Sequence, residues 1–276
     1  MLPSLVAFDL DDTLAPSKSP LPPEIADALA RLLARTEVCI ISGGQVGQFE
    51  SQVLARLGDL PEETLARLHL MPTCGTQYLR RADGEWALQY AERLAPAERG
   101  RAIAALERHA RRLGYWESRT WGPIIEDRGS QVTFSGLGQS APVPAKAAWD
   151  PDGAKKTALR EAVALDLPEL EVRSGGSTSV DITRRGIDKA YGMRRLELAT
   201  GIGLDRMVFV GDRLDEDGND YPVAAMGVRC IPVAGWTETV GNASGKRLCR
   251  APKQVLDRDG QRKRFSPPAV LERQRR

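Results

Sequence analysis

Cysteine is scarce in this sequence, and its few cysteines form no pattern typical of a disulfide framework or a zinc site. No C-x-x-C pair occurs, and Cys39 lies in an apolar run that predicts a buried strand. Scattered thiols of this kind are typical of a reducing compartment. We therefore expect a cytoplasmic protein. The four cysteines are Cys39, Cys74, Cys230 and Cys249.

Long hydrophobic runs and basic clusters interleaved with aromatic residues are also missing. No stretch approaches the roughly 18 apolar residues of a transmembrane helix. The first apolar run is interrupted by Asp9, Asp11 and Asp12, which argues against a signal peptide. Before the C-terminal stretch, no Lys/Arg cluster has the aromatic spacing of a nucleic-acid-binding face. We expect neither a membrane nor a nucleic acid as a partner.

The composition is that of a folded protein with a basic end. Hydrophobic residues make up 42% of the 276 residues and charged residues 28%, enough for a sizeable core. This length suits two modest domains, or one domain with a large insertion. The net charge of +2 hides an asymmetry, because residues 250–276 are rich in Lys and Arg. We predict a disordered basic tail there.

Apolar runs near both ends of the chain predict one parallel sheet. Residues 5–10 and 38–41 are short apolar strands separated by an amphipathic helix over residues 22–35, and a helix over 189–199 precedes strands at 207–210 and 228–233. Polar residues follow the strands, and ligands of open α/β sheets bind beyond the strands' carboxyl ends. The fold class predicted is α/β, a Rossmann-like parallel sheet with helices on both faces.

The pattern of apolar residues changes over residues 80–183, and the new pattern predicts an inserted α+β domain. Two helical stretches alternate with strands at 131–135 and 177–182, in which apolar residues recur with period two. Residues 140–153 are rich in Pro and Ala and predict a loop. The domain prediction is a core of residues 1–79 and 184–249, an insert of residues 80–183 and the tail.

Asp9 and Asp11 form a D-x-D-x-T motif with Thr13 at the end of the first strand. Two neighbouring carboxylates at the exit of a buried strand are costly unless a cation or a proton shares the site. The motif by itself is equally compatible with a solvated acidic turn or a helix cap.

Other features in the chain favour phosphate chemistry over that alternative. Ser42, Gly43 and Gly44 follow the second strand and offer a hydroxyl and backbone N–H groups, a natural phosphate cradle. Lys189 opens a helix and can present a point positive charge to a phosphoryl group. Asp212 and the acids after it can supply oxygen ligands to Mg²⁺. Each feature alone could be an ordinary turn or helix cap. All four occur at strand ends or helix starts, and together they are better explained by a phosphate site.

These motifs resemble the haloacid dehalogenase superfamily, in the subfamily IIB with a large α+β cap. The chain is similar to the eukaryotic-type phosphomannomutases over nearly all of its length before the tail. The similarity is carried by GPIIEDRGSQVTFSGLGQ, GGSTSVDITRRGIDK and FVGDRLDEDGNDY, at residues 122–139, 175–189 and 209–221.

The resemblance implies an aspartyl-phosphate mechanism on hexose phosphates. Asp9 would be the nucleophile, Asp11 the general acid and base, and Lys189 a third catalytic residue. Mg²⁺ is the implied cofactor, a hexose bisphosphate is an activator if the enzyme is a mutase, and a homodimer through the cap is the implied assembly. The implied substrate-binding positions are Ser42, Gly43, Gly44, Arg128, Gln139, Lys146, Ser179 and Asp181. The implied metal ligands are Asp9, Asp11 through its carbonyl, Asp212 and, more weakly, Asp220.

Departures from the family pattern leave two activities open. Gln139 and Lys146 stand where the family usually has arginine, and Asp12 stands where it usually has glycine. One fewer charge-assisted hydrogen bond to phosphate weakens binding by about ten- to a hundredfold. The candidates are a hexose phosphate mutase and a sugar-phosphate phosphatase. A catalytically silent sugar-phosphate sensor is disfavoured, because no member of the catalytic set is missing.

Overall fold

The structure is a computed structural model that describes residues 2–243. Two sheets organise this part of the chain, one of seven strands and one of four. The strands are β1 (Leu5–Phe8), β2 (Glu37–Ile41), β3 (Leu68–Met71), β4 (Gln77–Ala82), β5 (Glu85–Ala91), β6 (Ile125–Asp127), β7 (Gln131–Ser135), β8 (Leu170–Ser174), β9 (Ser179–Arg184), β10 (Met207–Gly211) and β11 (Arg229–Pro232).

The helices fall into the same two groups as the sheets. A π-helical turn at Glu50–Leu54 and 3₁₀ turns at Thr73–Gly75 and Leu204–Arg206 accompany the α-helices. The α-helices are α1 (Pro23–Leu33), α2 (Val46–Phe49), α3 (Ala55–Leu57), α4 (Glu62–Leu65), α5 (Pro96–Arg112), α6 (Val143–Trp149), α7 (Ala154–Asp166), α8 (Lys189–Thr200), α9 (Tyr221–Ala225) and α10 (Trp236–Ala243).

The larger sheet has the strand order β11-β10-β1-β2-β3-β4-β5, and β11 to β3 run parallel. All four residues of β1 are buried, as a parallel strand covered on both faces requires. α1, the π-helical turn and α10 pack on one face, and α8 and α9 pack on the other. The predicted α/β core with helices on both faces is confirmed.

The smaller sheet is antiparallel, in the order β6-β7-β9-β8, and α5 and α7 cover one of its faces. We call residues 96–184 the cap and the seven-stranded sheet with its helices the core. Val180 and Ile182 of β9 point into the apolar interior of the cap, so Ser179 and Asp181 lie on the opposite face.

Two details of the predicted insert need correction. The boundary at residue 80 falls inside β4, and the β4–β5 hairpin extends the seven-stranded sheet because β4 pairs with β3. Sheet membership therefore moves the boundary beyond Ala91. The stretch 140–153 contains α6 and is not wholly a loop, since Trp149 anchors this helix in the cap interior.

The predictions about the C-terminal tail, the cysteines and membrane-spanning helices can be compared with the described residues alone. The predicted tail at residues 250–276 lies outside the described residues, as does Cys249. Cys39, Cys74 and Cys230 are free thiols. Among the described helices, none combines the length and apolarity that a bilayer crossing requires.

Candidate active site

The D-x-D-x-T motif lies at the carboxyl end of β1, in the middle of the seven-stranded sheet. Asp9 is buried, and its N–H donates to the carbonyl of Val210 in β10 at 3.0 Å. Thr13 closes the motif onto the neighbouring strand, because its Oγ1 donates to Oδ1 of Asp212 at 2.9 Å and accepts from the Asp212 N–H at 3.1 Å. Two motifs about 200 residues apart are thereby joined by hydrogen bonds through one hydroxyl group.

Asp12 stands where the family usually has glycine, and the conformation of the turn after Asp11 accommodates it. Asp12 has φ of 63°, in the left-handed region that glycine adopts without cost and that Asp adopts more readily than most residues. Its carboxylate accepts a hydrogen bond from the N–H of Ser17 at 3.2 Å. The side chain that replaces the usual glycine therefore stabilises the turn.

Lys189 lies between two buried carboxylates. Its Nζ is 2.6 Å from Oδ1 of Asp9 and 2.5 Å from Oδ1 of Asp220, and all three side chains are almost inaccessible to solvent. Burial opposes the positive charge of Lys189, but Asp9 and Asp220 outweigh that effect and raise its pKa above the usual value. Lys189 therefore stays protonated and orients Asp9.

Asp9, Asp212 and Asp220 place one oxygen each within 4.8 Å of one another. Burial raises the pKa of Asp9 well above its usual value; Lys189 lowers it, and Asp220 and Asp212 raise it further. One ammonium group thus pairs with two of three clustered carboxylates, an arrangement that suits an additional cation with a preference for oxygen ligands, such as Mg²⁺.

Two of the predicted metal ligands are engaged elsewhere through their side chains. One carboxylate oxygen of Asp220 accepts a hydrogen bond from Nζ of Lys189, and the other accepts from the N–H of Arg213 at 3.1 Å. The carboxylate of Asp11 accepts from the Lys18 N–H at 2.7 Å and from Nε2 of Gln48 at 2.9 Å. The predicted role of Asp11 as a metal ligand uses its main-chain carbonyl and does not involve these carboxylate contacts. This role stays a prediction.

Ser42 follows β2, the strand next to β1, and its loop is held by the 3₁₀ turn after β3. The hydroxyl of Ser42 accepts from the Gly44 N–H at 3.1 Å. The carbonyls of Ser42 and Gly44 accept from the N–H groups of Cys74 and Thr73, both at 2.9 Å. Because Ser42 already occupies the Gly44 N–H, a phosphate cradle in this loop stays a prediction.

Arg128 links the cap to this loop. Its Nη1 donates to the carbonyl of Gly43 at 3.1 Å, while Nη2 lies 2.8 Å from Oε2 of Glu126. The neighbouring Ser130 hydroxyl hydrogen-bonds with Thr73 and Thr76 of the core. The guanidinium group of Arg128 is therefore fixed at the boundary between cap and core.

A cleft of about 500 Å³ opens between the cap and the loops that follow Asp11 and Ser42. Three cationic side chains line it, Arg128 and Lys146 from the cap and Lys18 from the core. Lys18 donates to the side-chain carbonyl of Gln139, and Lys146 donates to the main-chain carbonyl of Gln139 at 2.8 Å. Such a concentration of positive charge suits a phosphate group.

The predicted cap residues separate into two groups. Arg128, Gln139 and Lys146 line the cleft, whereas Ser179 and Asp181 do not. Oδ1 of Asp181 accepts from Oγ1 of Thr133 at 2.7 Å. Burial raises the pKa of Asp181, while the charges of Arg128 and Lys18 oppose the shift, so these groups lie within electrostatic reach.

The sequence analysis missed Lys18 and Gln48. A partly enclosed position in the cleft, together with the charges of Lys146 and Arg128, lowers the pKa of Lys18 to about 8. Lys18 is the sole basic residue between the first strand and the first helix, which is a usable signal. No sequence pattern marks Gln48, whose contact with Asp11 depends on the tertiary fold.

Solved structures of other proteins share the fold of this chain. A haloacid dehalogenase-like hydrolase from Bacteroides thetaiotaomicron matches with a TM-score of 0.57 and 16% identity over 87% of this chain and 91% of that protein. An N-terminally truncated Plasmodium falciparum IMP-nucleotidase matches with a TM-score of 0.62 and 14% identity over 87% and 69%. The fold is that of the haloacid dehalogenase-like hydrolases.

Proteins of similar sequence give a more specific likeness than the fold alone. The chain is 24% identical to the phosphomannomutase of Saccharomyces cerevisiae over 226 residues, 80% of this chain and 84% of the yeast protein. It is 24% identical to phosphomannomutase 1 of Homo sapiens over 238 residues, 80% and 83% of the two chains. No protein-family model matches the sequence. These findings support an enzyme of the phosphomannomutase type in the haloacid dehalogenase superfamily, and they confirm the resemblance.

Proposed function

We propose that this chain is a magnesium-dependent phosphotransferase that acts on hexose phosphates through an aspartyl phosphate on Asp9, as a phosphomannomutase-like enzyme. The observation that carries the proposal is the pairing of Lys189 with Asp9 and Asp220 beside Asp212, at the carboxyl ends of β1 and β10. A buried lysine and two buried carboxylates beside the half-buried Asp212, at the rim of the parallel strands, are costly for stability and suited to catalysis.

In the first half-reaction, a carboxylate oxygen of Asp9 attacks the phosphorus atom while the bond from phosphorus to the sugar oxygen breaks. Asp11 gives its proton to the leaving sugar oxygen. Lys189 holds Oδ1 of Asp9 and offsets the negative charge of the site. When bound by Asp9, Asp212 and the Asp11 carbonyl, with Asp220 beside them, Mg²⁺ supplies charge neutralisation for the phosphoryl group.

In the second half-reaction, the oxygen of the acceptor hydroxyl attacks the phosphorus atom of the aspartyl phosphate while Asp11 takes the hydroxyl proton. The bond from phosphorus to the Asp9 oxygen breaks, which regenerates the Asp9 carboxylate. A mutase uses a sugar hydroxyl as acceptor, with a hexose bisphosphate as activator, and must hold the second phosphate meanwhile. The cationic cleft of Lys18, Arg128 and Lys146 suits that phosphate. Ser179 and Asp181, on the polar face of the cap sheet, are our candidates for contacts with sugar hydroxyls.

Sugar-phosphate phosphatase activity is the second candidate, and Gln139 is the observation that favours it. Gln139 brings no charge to the cleft, and Lys18 and Lys146 both donate to it. A weaker hold on the distal phosphate lets the sugar leave before it turns over, after which water accepts the phosphoryl group.

One assay tests the proposal and separates its two forms. The purified protein is incubated with mannose and glucose 6-phosphates, with and without the matching hexose bisphosphate, and both free phosphate and hexose 1-phosphate are measured. Isomerisation that depends on the bisphosphate supports the mutase. Release of phosphate as the main product supports the phosphatase, and no turnover of any hexose phosphate in the presence of Mg²⁺ would contradict the proposal.

The remaining parts of the proposal concern the setting of the enzyme. We place it in the cytoplasm, in keeping with the free thiols of the described cysteines. We also propose a homodimer through the caps, without nucleic acid or membrane partners. Sedimentation velocity of the full chain tests the dimer.

A further inference from the structure

The carboxylate of Asp11 is held by donors on both of its oxygens. The N–H of Lys18 donates to Oδ1 at 2.7 Å, and Nε2 of Gln48 donates to Oδ2 at 2.9 Å. The Lys18 contact belongs to the turn that continues from Asp11 itself. The Gln48 contact comes from α2, a separate element that follows the loop at Ser42.

The side chain of Gln48 packs against Gly44. A Cβ atom added to Gly44 would lie 2.6 Å from Cδ of Gln48, so the space that Gly44 leaves empty is filled by the Gln48 amide. Any larger residue at position 44 would displace the amide from Asp11. Gly44 therefore admits the Gln48 side chain.

The helix that carries Gln48 is joined to the turn that carries Lys18. Nε2 of Gln52, in the π-helical turn after α2, donates to the carbonyl of Ser19 at 2.6 Å, and the carbonyl of Gln52 accepts from the Leu21 N–H at 2.9 Å. Gln52 is buried. The two donors to Asp11 thus belong to one hydrogen-bonded unit, which leaves the carboxyl group little rotational freedom.

We infer that Gln48 is a positioning residue that directs the carboxyl group of Asp11 toward the leaving sugar oxygen. This inference rests on the proposed function. Each carboxyl oxygen has two lone pairs, so Oδ2 can accept from Gln48 with one and carry the transferred proton on the other. Holding a catalytic group in its productive orientation avoids the entropic cost of finding it.

The test compares two substrates that differ in their need for a proton. A hexose 6-phosphate releases a poor leaving group that requires protonation, whereas p-nitrophenyl phosphate releases a phenolate that departs without a proton. For Gln48→Ala and Gln48→Glu, we expect kcat on the hexose phosphate to fall by about ten- to a hundredfold. On p-nitrophenyl phosphate the fall should be no more than about threefold, with KM little changed on both substrates.

Gln89→Ala is the matched control, because Gln89 is an exposed glutamine of β5 whose side chain donates to the nearby carbonyl of Ala87. It should leave both activities and the Tm unchanged. In an Asp11→Asn background, Gln48→Ala should cause no further loss on the hexose phosphate, because the two residues act as one unit.

Equal losses on the two substrates together with a lowered Tm would show a structural role for Gln48 and overturn the inference. Full hexose phosphate activity in Gln48→Ala would overturn it as well. Both results leave an active wild type and hence the proposed function intact. A wild-type protein that turns over neither substrate would overturn the proposed function, and the inference with it.

Discussion

The two sheets of this protein contribute different parts and opposite charges to the candidate site. The larger sheet contributes the ends of its strands, and the smaller sheet contributes a polar face and loops. In the seven-stranded sheet, the parallel strands β10, β1, β2 and β3 are buried on both faces, so their functional groups stand where the strands end. Asp9 and Asp212 follow two of those strands, and Asp220 and the buried Lys189 lie beside them. The four-stranded sheet is antiparallel and exposes a polar face, which holds Asp181 and Ser179, while its loops bring Arg128 to the cleft.

From this difference we expect the core to serve the chemical step and the cap, together with Lys18, to serve the binding of the substrate. The strand ends of the core concentrate negative charge that suits a metal and a nucleophile, and the cap together with Lys18 concentrates positive charge that suits a phosphate. Changes in the buried charges of the core should therefore affect turnover and stability, whereas changes in the cationic residues of the cleft should affect KM. Four variants test this division, in order of expected effect.

Replacing Asp9 should have the largest effect on turnover. We expect Asp9→Asn to reduce kcat by about 10⁴- to 10⁶-fold, because the amide cannot act as the nucleophile. Phosphate release and isomerisation assays with a hexose phosphate measure the loss. Asp12→Asn is the control and should retain activity, since Asn also tolerates positive φ and accepts from Ser17. Turnover by Asp9→Asn within about tenfold of wild type would exclude an aspartyl phosphate on Asp9.

Replacing Lys189 should destabilise the core more than any substitution in the cleft. Lys189→Met leaves Asp9 and Asp220 buried without their cation, which costs about 3–5 kcal/mol of the free energy of unfolding. Urea denaturation in the presence of a chelator measures it. Lys156→Met is the control, because Lys156 is a half-exposed residue that donates to a single carbonyl. A loss below about 1 kcal/mol would show that the buried pair contributes little.

Replacing Arg128 should raise KM and leave kcat nearly unchanged. Loss of a charge-assisted hydrogen bond to phosphate in Arg128→Met is expected to raise KM by about ten- to a hundredfold. Steady-state kinetics against hexose phosphate measure the change. Arg160→Met serves as the control, since Arg160 pairs with the neighbouring Glu161 on the surface of α7, away from the cleft. If kcat falls and KM does not change, Arg128 belongs to the chemical step and the division fails.

The smallest effect should come from pH. The pKa of Lys18 is lowered to about 8, so Lys18 loses its proton as the pH rises through that value. A phosphate monoester with its second pKa near about 6 stays a dianion over the same range. KM should therefore rise several-fold between about pH 7 and about pH 9, and Lys18→Arg should remove this dependence because arginine stays charged. A rise of KM that persists in Lys18→Arg would assign it to another group.

Much of the core could be predicted because its strands are short, apolar runs with functional residues directly after them. β1, β2 and β10 match the predicted runs to within two residues, and β7 matches at both ends. The β4–β5 hairpin was assigned to the insert because an antiparallel pair at the edge of a sheet has the same alternating pattern as an antiparallel sheet elsewhere. Only the pairing of β4 with β3 shows where it belongs.

The sequence by itself determined which groups can do chemistry here, because the order of strands in a parallel sheet brings the residues after β1, β2 and β10 to one edge. The tertiary structure decided how those groups are used. It pairs Lys189 with Asp9 and Asp220, turns the carboxylate of Asp11 toward Gln48 and joins Lys18 to Gln139 across the cleft. These contacts depend on side-chain directions and on packing between elements distant in sequence, which local propensity does not specify.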